Sequence, residues 1–91
     1  MNIMVVDDEL AIRKVLSTFL EESGNIVMNA DNGRSAYENL DEWKPDVILS
    51  DIRMPVMDGL QFLKATRERY DTPFIMITGY ADMEVAIEAL N

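Results

Sequence analysis

The sequence predicts an α/β fold, an open and doubly wound parallel sheet with helices on both faces. Short apolar runs of strand length recur at Ile3-Met4-Val5-Val6, Val47-Ile48-Leu49 and Phe74-Ile75-Met76-Ile77. Segments with apolar residues at helical spacing alternate with them. Proline stands at two strand entrances, Pro45 and Pro73, where a missing N–H does little harm. A βαβαβαβα alternation implies right-handed crossovers. The first, third and fourth runs read as buried on both sides. The second is polar at its ends and suits an edge, so the spatial order 2-1-3-4 satisfies all four.

The first strand, residues 2–6, ends in Asp7-Asp8-Glu9. Asp8 is a suitable cap for the following helix, and Glu9 suits its positive N-terminal end. Ile12, Val15, Leu16, Phe19 and Leu20 then form one apolar stripe, and Gly24 marks the helix end. Residues 25–29, with Ile26, Val27 and Met28, make the edge strand. Asp31-Asn32-Gly33 starts a short second helix spaced by Ala36, Tyr37 and Leu40, which Lys44-Pro45 closes. Trp43 reads as a partly buried anchor, and the seven Met residues as core filler and loop anchors.

The third strand runs through Ser50 into Asp51. Pro55 holds Met54 extended, so no helix starts there. Asp58 is a good N-cap for a third helix opened by Gly59, with Leu60, Leu63 and Thr66 on one face and Phe62 beside them. Lys64, Arg67, Glu68 and Arg69 fall on its wet side. The fourth strand ends in Thr78-Gly79-Tyr80, and a fourth helix is expected over residues 82–90.

Ninety-one residues allow one domain with a modest core, and 48% hydrophobic content is that of a globular chain. A net charge of −9 argues against gripping nucleic acid by its phosphates. With neither cysteine nor histidine, the chain has no disulfide framework, thiolate site or imidazole base. No apolar run approaches membrane length and residues 1–6 are too short for a signal peptide, so a cytoplasmic domain is expected.

If strands 1 and 3 are neighbours, Asp7 and Asp8 lie beside Asp51, and Thr78 ends the next strand over. Ligands bind beyond the carboxyl ends of such strands. Any one strand-end acid is explained as a cap or turn residue, but capping does not require acids at adjacent strand ends. Carboxylates that close repel unless a cation intervenes. Mg²⁺ suits such a site, since it takes oxygen ligands, one or two carboxylates among them, together with phosphate. A carboxylate is also a nucleophile that can form an aspartyl phosphate.

Asp7-Asp8-Glu9, Asp51, the loop Met54-Pro55-Val56-Met57-Asp58-Gly59 and Thr78-Gly79 together resemble the receiver domain of bacterial two-component response regulators. The match is collinear over residues 1–91, and the loop hexapeptide after a strand-end Asp is its most specific part. The resemblance implies a flavodoxin-like sheet. It implies that Asp51 accepts a phosphoryl group from a histidine kinase or phosphotransfer domain, and that the domain is a switch rather than a turnover enzyme. Asp8, with Asp7 through water, would hold Mg²⁺ beside Asp51, and the Arg53 backbone carbonyl would complete the metal site. Thr78 would hydrogen-bond the phosphoryl oxygen and shift the loop after it. A transcriptional output domain and no membrane contact are expected alongside.

The family pattern adds a fifth strand and helix, whose strand ends in a Lys and carries an aromatic switch residue. Here the chain stops at Asn91, and none of Lys14, Lys44 or Lys64 stands at a strand end. The expectation is a receiver lacking the fifth βα unit, which self-associates through its fourth strand, exchanges elements with a second copy or is markedly unstable. Two other functions fit the acids. A Mg²⁺-dependent phosphatase would normally show D-x-D, whereas Asp51 is followed by Ile52-Arg53. A receiver-like interaction module that takes no phosphate is the other.

Overall fold

The computed structural model describes residues 1–77. Seven elements follow in order: β1 (Asn2–Val6), α1 (Leu10–Glu22), β2 (Ile26–Ala30), α2 (Gly33–Glu38), β3 (Val47–Asp51), α3 (Gly59–Arg67) and β4 (Phe74–Ile77). The four strands form one parallel sheet in the order β2-β1-β3-β4, the order expected from the sequence pattern. The expected fourth helix, Thr78, Gly79 and Tyr80 lie outside the described residues.

Each boundary has a local cause. Gly24, at φ +92°, ends α1 in a Schellman turn: its N–H donates to the Glu21 carbonyl and that of Asn25 to the Leu20 carbonyl. The Asn32 side chain caps α2 by accepting from the Ser35 N–H at 2.9 Å. Asp58 and Gln61 form a reciprocal capping box at the start of α3. The cap of α1 departs from expectation. Its N-cap is Glu9, with no side-chain cap bond, and Asp8 does not serve. Asp7 Oδ1 instead accepts the Glu9 N–H at 2.9 Å, which leaves Asp8 exposed at the sheet edge.

The two faces of the sheet are covered unequally. Met4, Val6 and Ile48 pack with Ala36, Leu40, Met54 and Phe62 in a closed core under α2 and α3, with Trp43 and Met57 against it. Phe62 meets Phe74 edge-on at 5.2 Å. On the other face, the apolar stripe of α1 is largely open: Ile12, Val15 and Phe19 are exposed. The residue that α1 does bury is Ser17, whose hydroxyl donates to Asn29 Oδ1 at 2.9 Å. This polar contact ties α1 to β2. Strand β4 follows the same division, with Ile75 exposed and Phe74 half-buried. On α3 the buried residues are Gly59, Phe62, Leu63 and Thr66, and Leu60 is only half-buried.

Polar staples close the end of the sheet away from the strand-end acids. Arg67 lies over the Phe74 ring and donates to the Thr72 carbonyl at 2.6 Å, tying α3 to the entrance of β4. Arg69 pairs with both oxygens of Asp41 at 3.0 Å between the rings of Tyr37 and Tyr70.

Candidate functional site

Register decides what meets at the carboxyl ends of the strands. Val6 lies opposite Ser50 in the β1–β3 ladder, so Asp7 and Asp51, one residue further on, leave the sheet side by side. From β1 the chain crosses to β2 on one side and β3 lies on the other, which makes this the switch point of the sheet. Here Asp7, Asp8 and Asp51 each present a carboxylate oxygen, all within 4.8 Å of one another. The structure therefore brings together the three acids singled out in the sequence. Thr78 follows Ile77, the β4 partner of Asp51, but lies outside the described residues.

The three acids are held differently. Asp7 is buried and bound at several points: its N–H donates to the Ala30 carbonyl, and its carboxylate takes the Glu9 N–H. Its own carbonyl accepts from Arg13 Nη1 at 2.6 Å. Asp51 is half-buried, and its Oδ1 accepts the Ile52 N–H at 2.7 Å, which fixes the rotation of the carboxylate. Ser50, fully buried, satisfies its hydroxyl on the Asp51 carbonyl.

Burial pushes the Asp51 carboxyl above its ordinary value of 3.8, and the charges of Asp7 and Asp8 push it the same way. The backbone N–H groups of Ile52 and Arg53 oppose them. The donor set is all oxygen and all anionic, which fits a hard divalent cation such as Mg²⁺.

Residues 52–58 form the wall beside Asp51. Arg53 is exposed there and lines an open cleft with Asp8, Met54, Pro55 and Asp58. The loop is closed at its base, because the Gly59 N–H donates to the Ile52 carbonyl at 2.8 Å. A Cβ on Gly59 would lie 2.1 Å from the Asp51 carbonyl oxygen, so only glycine lets α3 begin against the Asp51 backbone. At the tip, Met57 N–H donates to the Pro55 carbonyl across Val56, whose φ is +70°. This is a γ-turn of the strained kind, in a β-branched residue.

Three contributors escaped the sequence reading. The Arg13 grip on Asp7 is six residues away on a helix face with no motif. The close approach at Gly59 was signalled only by glycine at a helix start, where a capped helix has no conformational need of it. Gly33 has the same signal and is treated below. Among the described residues no lysine lies at the carboxyl edge of the sheet: Lys14 is on α1, Lys44 precedes β3 and Lys64 is on α3. No described helix is long and apolar enough to cross a membrane.

Comparison with known proteins places this geometry. The family model for the response regulator receiver domain matches residues 3–91. The chain is 46% identical over 91 residues to the regulatory protein AtoC of Escherichia coli (strain K12), covering 99% of this chain and 20% of that protein. It is 38% identical over 92 residues to the transcriptional regulatory protein YdfI of Bacillus subtilis (strain 168), covering 99% of this chain and 43% of that one. It thus spans less than half the length of either curated relative. Among solved structures, the receiver domain of the Francisella response regulator 1452 superposes with a TM-score of 0.88 at 32% identity, over 98% of this chain and 74% of that one.

Proposed function

Because the chain belongs to the response regulator receiver domain family, we propose that its Asp51 is the residue that takes the phosphoryl group, with residues 1–91 forming a single receiver domain. The observation that carries the assignment is the meeting of three carboxylates within 4.8 Å at the switch point, with Asp51 the one seated at a strand end beside an open cleft. An Asp51 carboxylate oxygen attacks phosphorus, a P–O bond forms as the donor's P–N bond breaks, and the imidazole of a histidine kinase or phosphotransfer domain leaves.

Asp8 and Asp7 would hold Mg²⁺ beside Asp51, with the Arg53 carbonyl as a further ligand. The ion supplies neutralisation of the charge that gathers on the phosphoryl oxygens. The protein supplies position: the Ile52 N–H fixes the Asp51 rotamer, and Arg13 and the Glu9 N–H fix Asp7. Thr78 is assigned the hydroxyl that reads the phosphorylated state. The domain is a switch that assists its own transfer, acting in the cytoplasm. The names of AtoC and YdfI, a regulatory and a transcriptional regulatory protein, support an output partner of the transcriptional kind.

Incubation with acetyl phosphate and Mg²⁺, followed by intact mass and peptide mapping, tests the reading. One phosphoryl group on Asp51, lost in Asp51→Asn, is expected. Phosphate on another residue, or labelling that survives Asp51→Asn, would overturn it.

A further inference from the structure

Gly33 is the first residue of α2, and nothing local calls for a glycine there. Among the described residues only Gly24 and Val56 have positive φ, so Gly33 is not used for its backbone freedom. The Asn32 cap is complete without it. What Gly33 does have is a neighbour from the phosphoacceptor loop. Its N–H donates to the Met57 carbonyl at 3.0 Å. A Cβ there would lie 2.7 Å from that same oxygen, 2.8 Å from Phe62 Cβ and 3.0 Å from Met57 Cγ. Neither the backbone oxygen nor the Phe62 Cβ can move without moving what carries it.

The loop from Ile52 to Asp58 is therefore held at two places. Its base is closed by Gly59 on the Ile52 carbonyl, and its far limb is fastened by Gly33 on the Met57 carbonyl. Between them stands the γ-turn at Val56. Arg53 lies on the near limb, and the buried Met54 side chain keeps that limb against the core. A shift of Met57 outward has few ways to be absorbed before it reaches Arg53 and Asp51.

We propose that Gly33 is a positioning residue for the phosphoacceptor site, setting through the Met57 carbonyl where the Arg53 main chain stands beside Asp51. The proposal rests on the reading of Asp51 given above. Gly33→Ala thrusts a methyl group against the Met57 carbonyl and displaces the loop.

The test uses Mg²⁺ alone as the probe, followed by the amide spectrum of ¹⁵N-labelled chain, with acetyl phosphate labelling in parallel. Gly24→Ala is the control. It strains a positive-φ position that has open space around it, so it lowers stability without touching the loop. Gly33→Ala is expected to weaken Mg²⁺ binding by about tenfold, the size seen when an outer partner of a metal ligand is lost. It should slow labelling in parallel, while Gly24→Ala matches wild type in both at a temperature where all three are folded. Unchanged Mg²⁺ affinity and labelling in folded Gly33→Ala would overturn the proposal.

If Gly33→Ala does not fold, the wild-type titration decides. The Gly33 amide must shift with the same midpoint as the Asp51 and Arg53 amides, and a Gly33 amide that stays still overturns coupling. Should wild type bind no Mg²⁺ and take no phosphate, the reading of Asp51 fails instead. The metal-free amides of residues 53–57 in Gly33→Ala then test the mechanical link by itself: shifted positions support it, and wild-type positions overturn it.

Discussion

Replacing Asp51 by asparagine should make the metal-free protein more stable while removing its proposed chemistry. The carboxylate oxygens of Asp7, Asp8 and Asp51 lie within 4.8 Å of one another. At that distance two unit charges repel by about 3 kcal/mol at an effective dielectric of ~20, and by just under about 1 kcal/mol in water. Asp8 is exposed and sits near the lower limit, whereas Asp7 is buried. Asparagine keeps the shape and still accepts from the Ile52 N–H through its Oδ1, but loses about 1 kcal/mol as a neutral acceptor. Screening of the half-exposed pair reduces the gain again. A net stabilisation of about 1–2 kcal/mol remains, which for a domain of this size raises Tm by about 5–15 °C.

The pH dependence has a definite sign. The Asp51 pKa is raised in the folded state, so its protonation favours folding. That contribution is full below the unfolded value near 3.8, and is lost as pH rises through the folded value. Wild type and Asp51→Asn should therefore converge in acid and separate above the raised pKa. Urea titrations of both proteins in EDTA across this range measure the gap. Mg²⁺ should then close it from the wild-type side, by about 1.4 kcal/mol at roughly ten times its Kd. The reasoning is refuted if the variant is the less stable protein in EDTA at neutral pH, or if Mg²⁺ stabilises both equally.

Thr66→Val should stabilise the protein by roughly 1 kcal/mol in urea, because the Thr66 hydroxyl is fully buried with no hydrogen-bond partner among the described residues; a loss of stability would count against that account. Val56→Gly should gain about 1 kcal/mol by releasing the γ-turn strain, less the entropic cost of glycine, and a lower urea midpoint would contradict it. Gly59→Ala should cost about 1–3 kcal/mol and impair labelling of Asp51, since the new methyl meets the Asp51 carbonyl; a normal mass shift with acetyl phosphate would show that the loop gives way freely. The 91-residue chain should self-associate through the edge of β4 that, among the described residues, no strand pairs, with Ile75→Lys raising the monomer fraction in light scattering; equal molecular masses for the two would exclude this edge.

Much of the architecture was legible because its signals are local. A strand run into an acid, a proline at a strand entrance and Asp58 ahead of Gly59 each name a boundary from adjacent residues. The order 2-1-3-4 followed from which runs were apolar enough for the middle. The convergence of Asp7, Asp8 and Asp51 was then a consequence of topology. The Ser17 bond to Asn29 was not legible, because it pairs residues of different elements. The cap of α1 misled. Asp7 and Asp8 are chemically equivalent, and only the way the chain leaves the sheet determines which takes the Glu9 N–H. Gly33 and Gly59 are contacts between distant segments, visible beforehand only as glycines without a local use.

The acids of the site also differ in how much freedom each retains. Asp7 is pinned through its N–H, its carbonyl and its carboxylate, so its rotamer entropy was surrendered when the chain folded. Asp8, next in sequence, stands exposed at the rim. A cation entering this corner would meet one wall already set and one arm still to be gathered in, so folding bears part of the ordering cost of binding and the rest falls to the ion.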